Sequence, residues 1–361
     1  MDEHIRVVLW GGFGLGILFG VLGQRLEFCV SGGLREWYQD RHPRRFAAIL
    51  LALAFALLGT QFLVTRELIA LQDSLYGQPA FSWLLVPLGG IFFGYGMMLA
   101  RGCGSRALVL LGDGNLRSLV VLLSLAVGAG IVLTGFLASL RLDLIDKTLL
   151  SLPLAEPTLP GFLHEKGLPQ FLARWLPTLL FVGALSYFSL RPMGLIKHPW
   201  QVAGAASIGL LVPLGWLLTG HFGADDFDPV QVESLTFVAP LTNGLQYLML
   251  SSGTAATFGV TVVGGVLLGS LIASLASRDF ELRAFTSPKQ MLHSIGGGLL
   301  MGLGGALALG CSIGQGLTGL STLAIMSFPA AFGILLGGLI AMKGPLAVRE
   351  PSPSPRLNPA S

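Results

Sequence analysis

The 361-residue chain holds 3 cysteines, and each stands in a short motif rich in small residues. The motifs are Phe28-Cys29-Val30-Ser31-Gly32-Gly33, Arg101-Gly102-Cys103-Gly104-Ser105 and Gly310-Cys311-Ser312-Ile313-Gly314-Gln315-Gly316. Their wide spacing gives no zinc signature, and an odd number gives no disulfide framework. A lone buried cysteine is usually a small apolar filler, but three in equivalent settings point to chemistry. Glycines let the backbone approach closely, and the first turn of a helix exposes unpaired N–H donors with partial positive charge. A thiol adds a weak S–H donor and a soft, polarisable surface. Together these suit a small anion that itself carries sulfur. A thiolate would repel such an anion, so the working form is the neutral thiol. The expected pathway residues are Cys29, Cys103 and Cys311. Gly102, Gly104, Gly310, Ser312, Gln315, Ser31 and Arg101 are candidate contacts around them. Arg101 and Arg106 flank Cys103, where they either attract an anion or simply mark one side of a membrane.

The elements that must hold these residues are membrane helices. Spans of about 20 apolar residues cross a bilayer, whereas runs of about 10–14 do not. Nine full spans are expected near 5–23, 44–66, 82–100, 115–140, 171–190, 199–219, 254–276, 290–309 and 321–343. Four shorter apolar segments lie near 27–38, 102–112, 236–249 and 310–319, and three of them carry the cysteines. Such segments read as re-entrant half-helices, which survive only when buried in protein or lining a cavity; surface loops with some helix are the alternative.

The chain repeats itself. Gly90, Gly94, Gly96, Leu99, Ala100, Gly102 and Cys103 match Gly298, Gly302, Gly304, Leu307, Ala308, Gly310 and Cys311 at one constant offset. Leu26 and Phe28 match Leu235 and Phe237 more weakly. The expected fold is therefore an all-α integral membrane protein with nine transmembrane helices and four short re-entrant helices in two inverted repeats. Its divisions are residues 1–140 (four spans, two half-helices), a linker with the fifth span over 141–198, the second repeat over 199–343, and a disordered tail over 344–361. Inverted repeats of this kind place a transport site at their interface. Sixteen of the 22 Lys and Arg residues fall on the side of residues 25–45, 101–117, 191–197, 278–289 and the C-terminus. That side is expected to be cytoplasmic, with the N-terminus outside.

Composition agrees. Only 11% of residues are charged and 53% are hydrophobic, against about a quarter charged in soluble domains, and the mean hydropathy is +0.74. The 50 glycines are about twice the ordinary share and recur at helix-packing spacing, as in Gly12, Gly16 and Gly20. No basic run interleaved with aromatics speaks for nucleic acid. No phosphate loop, metal cluster or catalytic constellation appears, so neither an enzyme nor a cofactor is expected. No intramembrane Asp/Glu relay is evident, which weighs against a proton-driven pump.

At these motifs the sequence resembles the YeeE/YedE sulfur-transport family. The resemblance runs from Gly11 to Lys343 and is most specific at Gly23-Gln24-Arg25 leading to Phe28-Cys29, at Gly102-Cys103-Gly104 and at Gly310 to Gly316. It implies nine spans and four short helices around an hourglass-shaped path. Cys103 and Cys311 would lie near the constriction and Cys29 on its cytoplasmic side, passing the anion by S–H hydrogen bonds. It also implies a bacterial inner membrane, thiosulfate or a related sulfur anion as substrate, and a small cytoplasmic sulfur-carrier protein as partner. Selenium compounds or other sulfur species, and a membrane sulfurtransferase forming a cysteine persulfide, are alternatives; a thiol redox sensor is a third class.

Overall fold

A computed structural model describes residues 3–40, 43–151, 153–154, 156–225, 229–250, 252–285 and 287–344. The tail expected beyond Gly344 lies outside them. The protein is mostly helical: α1 (Glu3–Arg25), α2 (Val30–Arg35), α3 (Arg44–Thr65), α4 (Leu85–Leu99), α5 (Gly104–Gly112), α6 (Leu116–Leu133), α7 (Ala138–Lys147), α8 (Leu159–Glu165), α9 (Gln170–Leu190), α10 (Pro199–Leu217), α11 (Val238–Met249), α12 (Phe258–Ser277), α13 (Pro288–Leu307) and α14 (Ser327–Lys343). A two-stranded antiparallel pair, β1 (Ala80–Ser82) with β2 (Leu149–Ser151), is a small departure from an all-helical expectation.

Seven helical stretches, those containing α1, α3, α4, α6, α9, α10 and α12, are long and apolar enough to cross a membrane. Helix α13 is 20 residues long but opens with the polar stretch Lys289, Gln290, His293 and Ser294. Helix α14 is apolar but has 17 residues. The span expected at 115–140 is too long. Helix α6 ends at Leu133, where Thr134 and Gly135 both donate to the carbonyl of Gly130, and α7 starts a separate helix.

Packing follows a regular exchange. Helix α1 lies on α12 as α10 lies on α3, α4 lies on α14 as α13 lies on α6, and α4 and α13 meet each other. The short α2 touches α3 and α14, where α11 touches α12 and α6. Small residues permit the closest of these approaches: a Cβ at Gly16 or Gly20 would run into the backbone carbonyl of Val262 or Val266 on α12. Helix α9 packs on α3 at the periphery and keeps most of its surface outward, as lipid contact requires.

The connections gather into two groups. One joins β1 to β2, Tyr76 to Gly314, and Thr158 to Ala324. The other joins Asn115 to Arg283, Arg44 to His198, and Arg45 to Glu27 and Glu36. The second group carries the arginine-rich stretches.

Candidate functional site

The same local fold precedes every cysteine. Helix α1 closes with Phe28 N–H donating to Gly23 O, α4 with Gly102 N–H to Met97 O, and α13 with Gly310 N–H to Gly305 O. These are six-to-one closures that satisfy orphan carbonyls at a helix end. Each needs a left-handed residue, supplied by Glu27 (φ 49°), Arg101 (φ 60°) and Leu309 (φ 56°), two positions before the cysteine. None is glycine, so each turn holds about 1–2 kcal/mol of backbone strain. The chain then reverses and starts a short helix or turn on the cysteine. Cys29 caps α2 and Cys103 caps α5, both with extended backbone, and Cys311 stands before the wide turn 314–319.

All three are free thiols, 5%, 1% and 2% exposed respectively. The Cys311 sulfur accepts the N–H of Gly314 at 3.2 Å, whereas Cys29 and Cys103 stand at the N-caps of α2 and α5 without a side-chain hydrogen bond to the helix backbone. Cys29 and Cys103 thus hold the position of a serine or aspartate N-cap without its capping bond, and only the turn after Cys311 directs an N–H at the sulfur. Cys29 Sγ lies 3.0 Å from Ser31 Oγ, and Cys103 Sγ lies 3.3 Å from Ser105 Oγ.

The cysteines do not form one cluster. Cys29 and Cys103 lie within electrostatic reach of each other, and Cys29 also of the Arg106 guanidinium. Cys311 meets Thr236 Oγ1 and the N–H of Phe237, at the start of α11. A Cβ on Gly314 would crowd Thr236 Oγ1 at 2.7 Å, so that approach depends on glycine. The fourth short segment, which has no cysteine, therefore presents a threonine to Cys311, much as α2 presents Cys29 to Cys103.

The remaining expected residues separate. Ser31 places its hydroxyl 3.0 Å from the Cys29 sulfur. Ser312 is 4% exposed and its hydroxyl has no partner among the described residues, leaving a donor available to a ligand. Gln315 is occupied: its amide donates to Ala308 O at 2.8 Å and Leu309 O at 3.2 Å, and its carbonyl accepts from Ser327 Oγ at 2.9 Å. It holds the turn before Cys311. Gly102, Gly104 and Gly310 are buried around the cysteines. Arg101 is exposed and lines a cleft with Arg117 and His293.

Ser105, Thr236, Tyr76 and Glu233 were missed by sequence reasoning. Ser105 had a signal, since it follows Cys103 by two residues as Ser31 follows Cys29. Thr236 opens the fourth short segment at the point where a cysteine is lacking. Tyr76 and Glu233 lie in connections with no motif to mark them.

A buried, cysteine-capped helix bundle with helices fit to cross a bilayer defines a multi-pass membrane protein with a thiol-rich interior. Its sequence matches the Sulphur transport family over residues 25–340, and the chain belongs to that family. It is 30% identical over 325 residues to the thiosulfate transporter TsuA of Escherichia coli K12, covering 86% of this chain and 87% of that one. It is 27% identical over 346 residues to the thiosulfate transporter TsuA of Spirochaeta thermophila, covering 91% and 97%.

Proposed function

We propose that the protein is a permease for thiosulfate or a closely related sulfur anion, moved past Cys29, Cys103 and Cys311 as neutral thiols. The observation that carries this reading is the repeated setting of the three thiols. Each is buried at a chain reversal at the start of a short helix or turn, in a chain of a sulphur-transport family with two thiosulfate transporters as relatives. Such a setting offers an anion backbone N–H donors, S–H donors and a helix dipole without burying a fixed positive charge. Arg106 adds attraction at the Cys29–Cys103 pair, and Ser312, next to Cys311, adds a hydroxyl with no partner among the described residues.

In this reading α13 and α14 join the seven longer apolar helices as spans, making nine, with α2, α5, α11 and the 314–319 turn as half-membrane elements. The exchange of packing partners supports two inverted repeats over 1–140 and 199–343, joined through α9. The arginine-rich connections face the cytoplasm of a bacterial inner membrane and the N-terminus lies outside. Cys311 then belongs to the outer half of the path, and Cys29 with Cys103 to the inner half. A small cytoplasmic sulfur carrier receives the anion.

The test is uptake of labelled thiosulfate into proteoliposomes, before and after a membrane-permeant thiol-alkylating reagent. Uptake that disappears on alkylation is the expected result. Folded protein that takes up no thiosulfate would overturn the substrate assignment. A persulfide formed on a cysteine during turnover would replace transport by sulfurtransferase chemistry.

A further inference from the structure

The carboxyl of Glu233 takes no part in the pathway described so far, yet it sits within reach of it. Its backbone is held to the turn after α10: Thr219 Oγ1 donates to Glu233 O at 2.7 Å and accepts from Glu233 N–H at 3.2 Å. Its side chain accepts the N–H of Gly259, at the start of α12, at 3.2 Å. No ion pair to Glu233 occurs among the described residues. The carboxyl keeps an accessible edge but is otherwise enclosed by protein.

Two routes join this carboxyl to Cys311. Along the chain, Ser234 Oγ donates to Val212 O at 2.7 Å, and Leu235 O accepts from Thr318 Oγ1 at 2.7 Å. Thr236 and Phe237 then meet the Cys311 sulfur. Through space, Tyr76 interacts with both Glu233 and Cys311 and donates at 2.6 Å to Gly314 O, whose own N–H faces Cys311.

Burial disfavours the charged carboxylate, and the single N–H from Gly259 offsets this only in part, so the pKa is pushed up to about 7. The groups facing it are Tyr76 from the 75–77 turn, Thr219 from the turn after α10, and Gly259 from α12. Tyr76 is also within electrostatic reach of Cys311, and burial keeps the Tyr76 phenol protonated at any physiological pH. An anion arriving at Cys311 is repelled by a carboxylate at Glu233 and not by the neutral acid. Anion and proton therefore favour one another's binding, by the reciprocity that holds for any two coupled sites.

We propose that Glu233 is a proton-binding site coupled to anion passage at Cys311, so that the sulfur anion enters together with a proton taken up at Glu233 from the outer side. This rests on the permease reading above. The sequence shows no acidic relay inside a span because this carboxyl comes from a connection folded against the bundle.

The experiment uses proteoliposomes with a trapped pH dye, potassium and valinomycin to clamp the membrane potential, and labelled thiosulfate. An inward proton gradient is expected to raise wild-type uptake several-fold, and thiosulfate entry to acidify the lumen. Glu233→Gln is expected to lose both responses, and Glu233→Asp to retain them. In parallel, infrared titration of detergent-solubilised protein should show a carboxylic acid band absent from Glu233→Gln, whose midpoint rises when thiosulfate is added. Wild-type uptake indifferent to protons, or a midpoint that thiosulfate does not move, overturns this inference alone. No thiosulfate uptake by folded wild type under any gradient strikes the permease reading and takes this inference with it.

Discussion

The hydroxyl of Tyr76 donates a 2.6 Å hydrogen bond to the carbonyl of Gly314, three residues after Cys311 and 238 positions away in sequence. Both partners are buried, and the Tyr76 ring also packs edge-on to Trp216 with centroids 6.0 Å apart. The contact fastens the connection between α3 and α4 to the turn that presents the third thiol. Tyr76→Phe keeps the ring and removes a hydrogen bond to a buried carbonyl, at a cost of about 0.5–1.5 kcal/mol. A lowered melting temperature in detergent and slower thiosulfate uptake are the expected outcomes. Uptake at the wild-type rate would show that the turn holds its shape without this bond.

The thiols should be separable from stability. Cys103→Ala and Cys311→Ala remove one buried sulfur each and are expected to abolish uptake while the protein stays folded, as judged by size-exclusion profile and melting. Cys29→Ala should reduce uptake by a smaller factor, since Cys103 and Arg106 remain at its position. Normal transport by the double Cys103→Ala, Cys311→Ala variant would sink the thiol pathway.

The two arginines around Cys103 should behave differently. Arg106 lies beside Cys29 and reaches the Gly23 carbonyl at 3.3 Å, whereas Arg101 is exposed and strained at φ 60°. Uptake kinetics should show a larger loss for Arg106→Ala than for Arg101→Ala. Arg101→Gly should relieve the left-handed backbone and stabilise the fold by about 1 kcal/mol. A larger uptake defect in Arg101→Ala would move the anion's inner exit toward the Arg101–Arg117–His293 cleft.

Two neighbours of Cys311 make opposite predictions. Gln315→Leu strands the carbonyls of Ala308 and Leu309 and should cost about 3 kcal/mol in chemical denaturation. Ser312→Ala removes a hydroxyl with no partner among the described residues, so stability should hold within about 0.5 kcal/mol while uptake falls. Full activity in Ser312→Ala would remove that hydroxyl from the pathway.

Stability should depend on pH through Glu233. Folding raises its pKa from the ordinary 4.5 to about 7, so the folded protein holds this proton at pH values where the unfolded chain has lost it. The associated stability is complete below 4.5 and is lost as pH rises to about 7. Glu233→Gln has no such proton, so its melting temperature relative to wild type should climb across that window. A constant difference over the same range would place the carboxyl in an ordinary solvated setting.

The sequence by itself determined the membrane character, the approximate places of the long apolar helices and the cysteine motifs. Bilayer solvent demands long apolar helices, and the mean hydropathy and glycine spacing record that demand locally. The 208-residue repeat across Gly90–Cys103 and Gly298–Cys311 is likewise a one-dimensional signal. Tertiary structure decided the rest, because it depends on which distant segments meet. Only packing set Cys29 near Cys103 and Cys311 near Thr236, occupied the amide of Gln315 while leaving Ser312 without a partner among the described residues, and turned Arg101 outward. Only packing brought Tyr76 to Gly314 and enclosed Glu233 against the turn after α10 and the start of α12. Burial and partnership are properties of contacts made across the chain, and no local spacing encodes them.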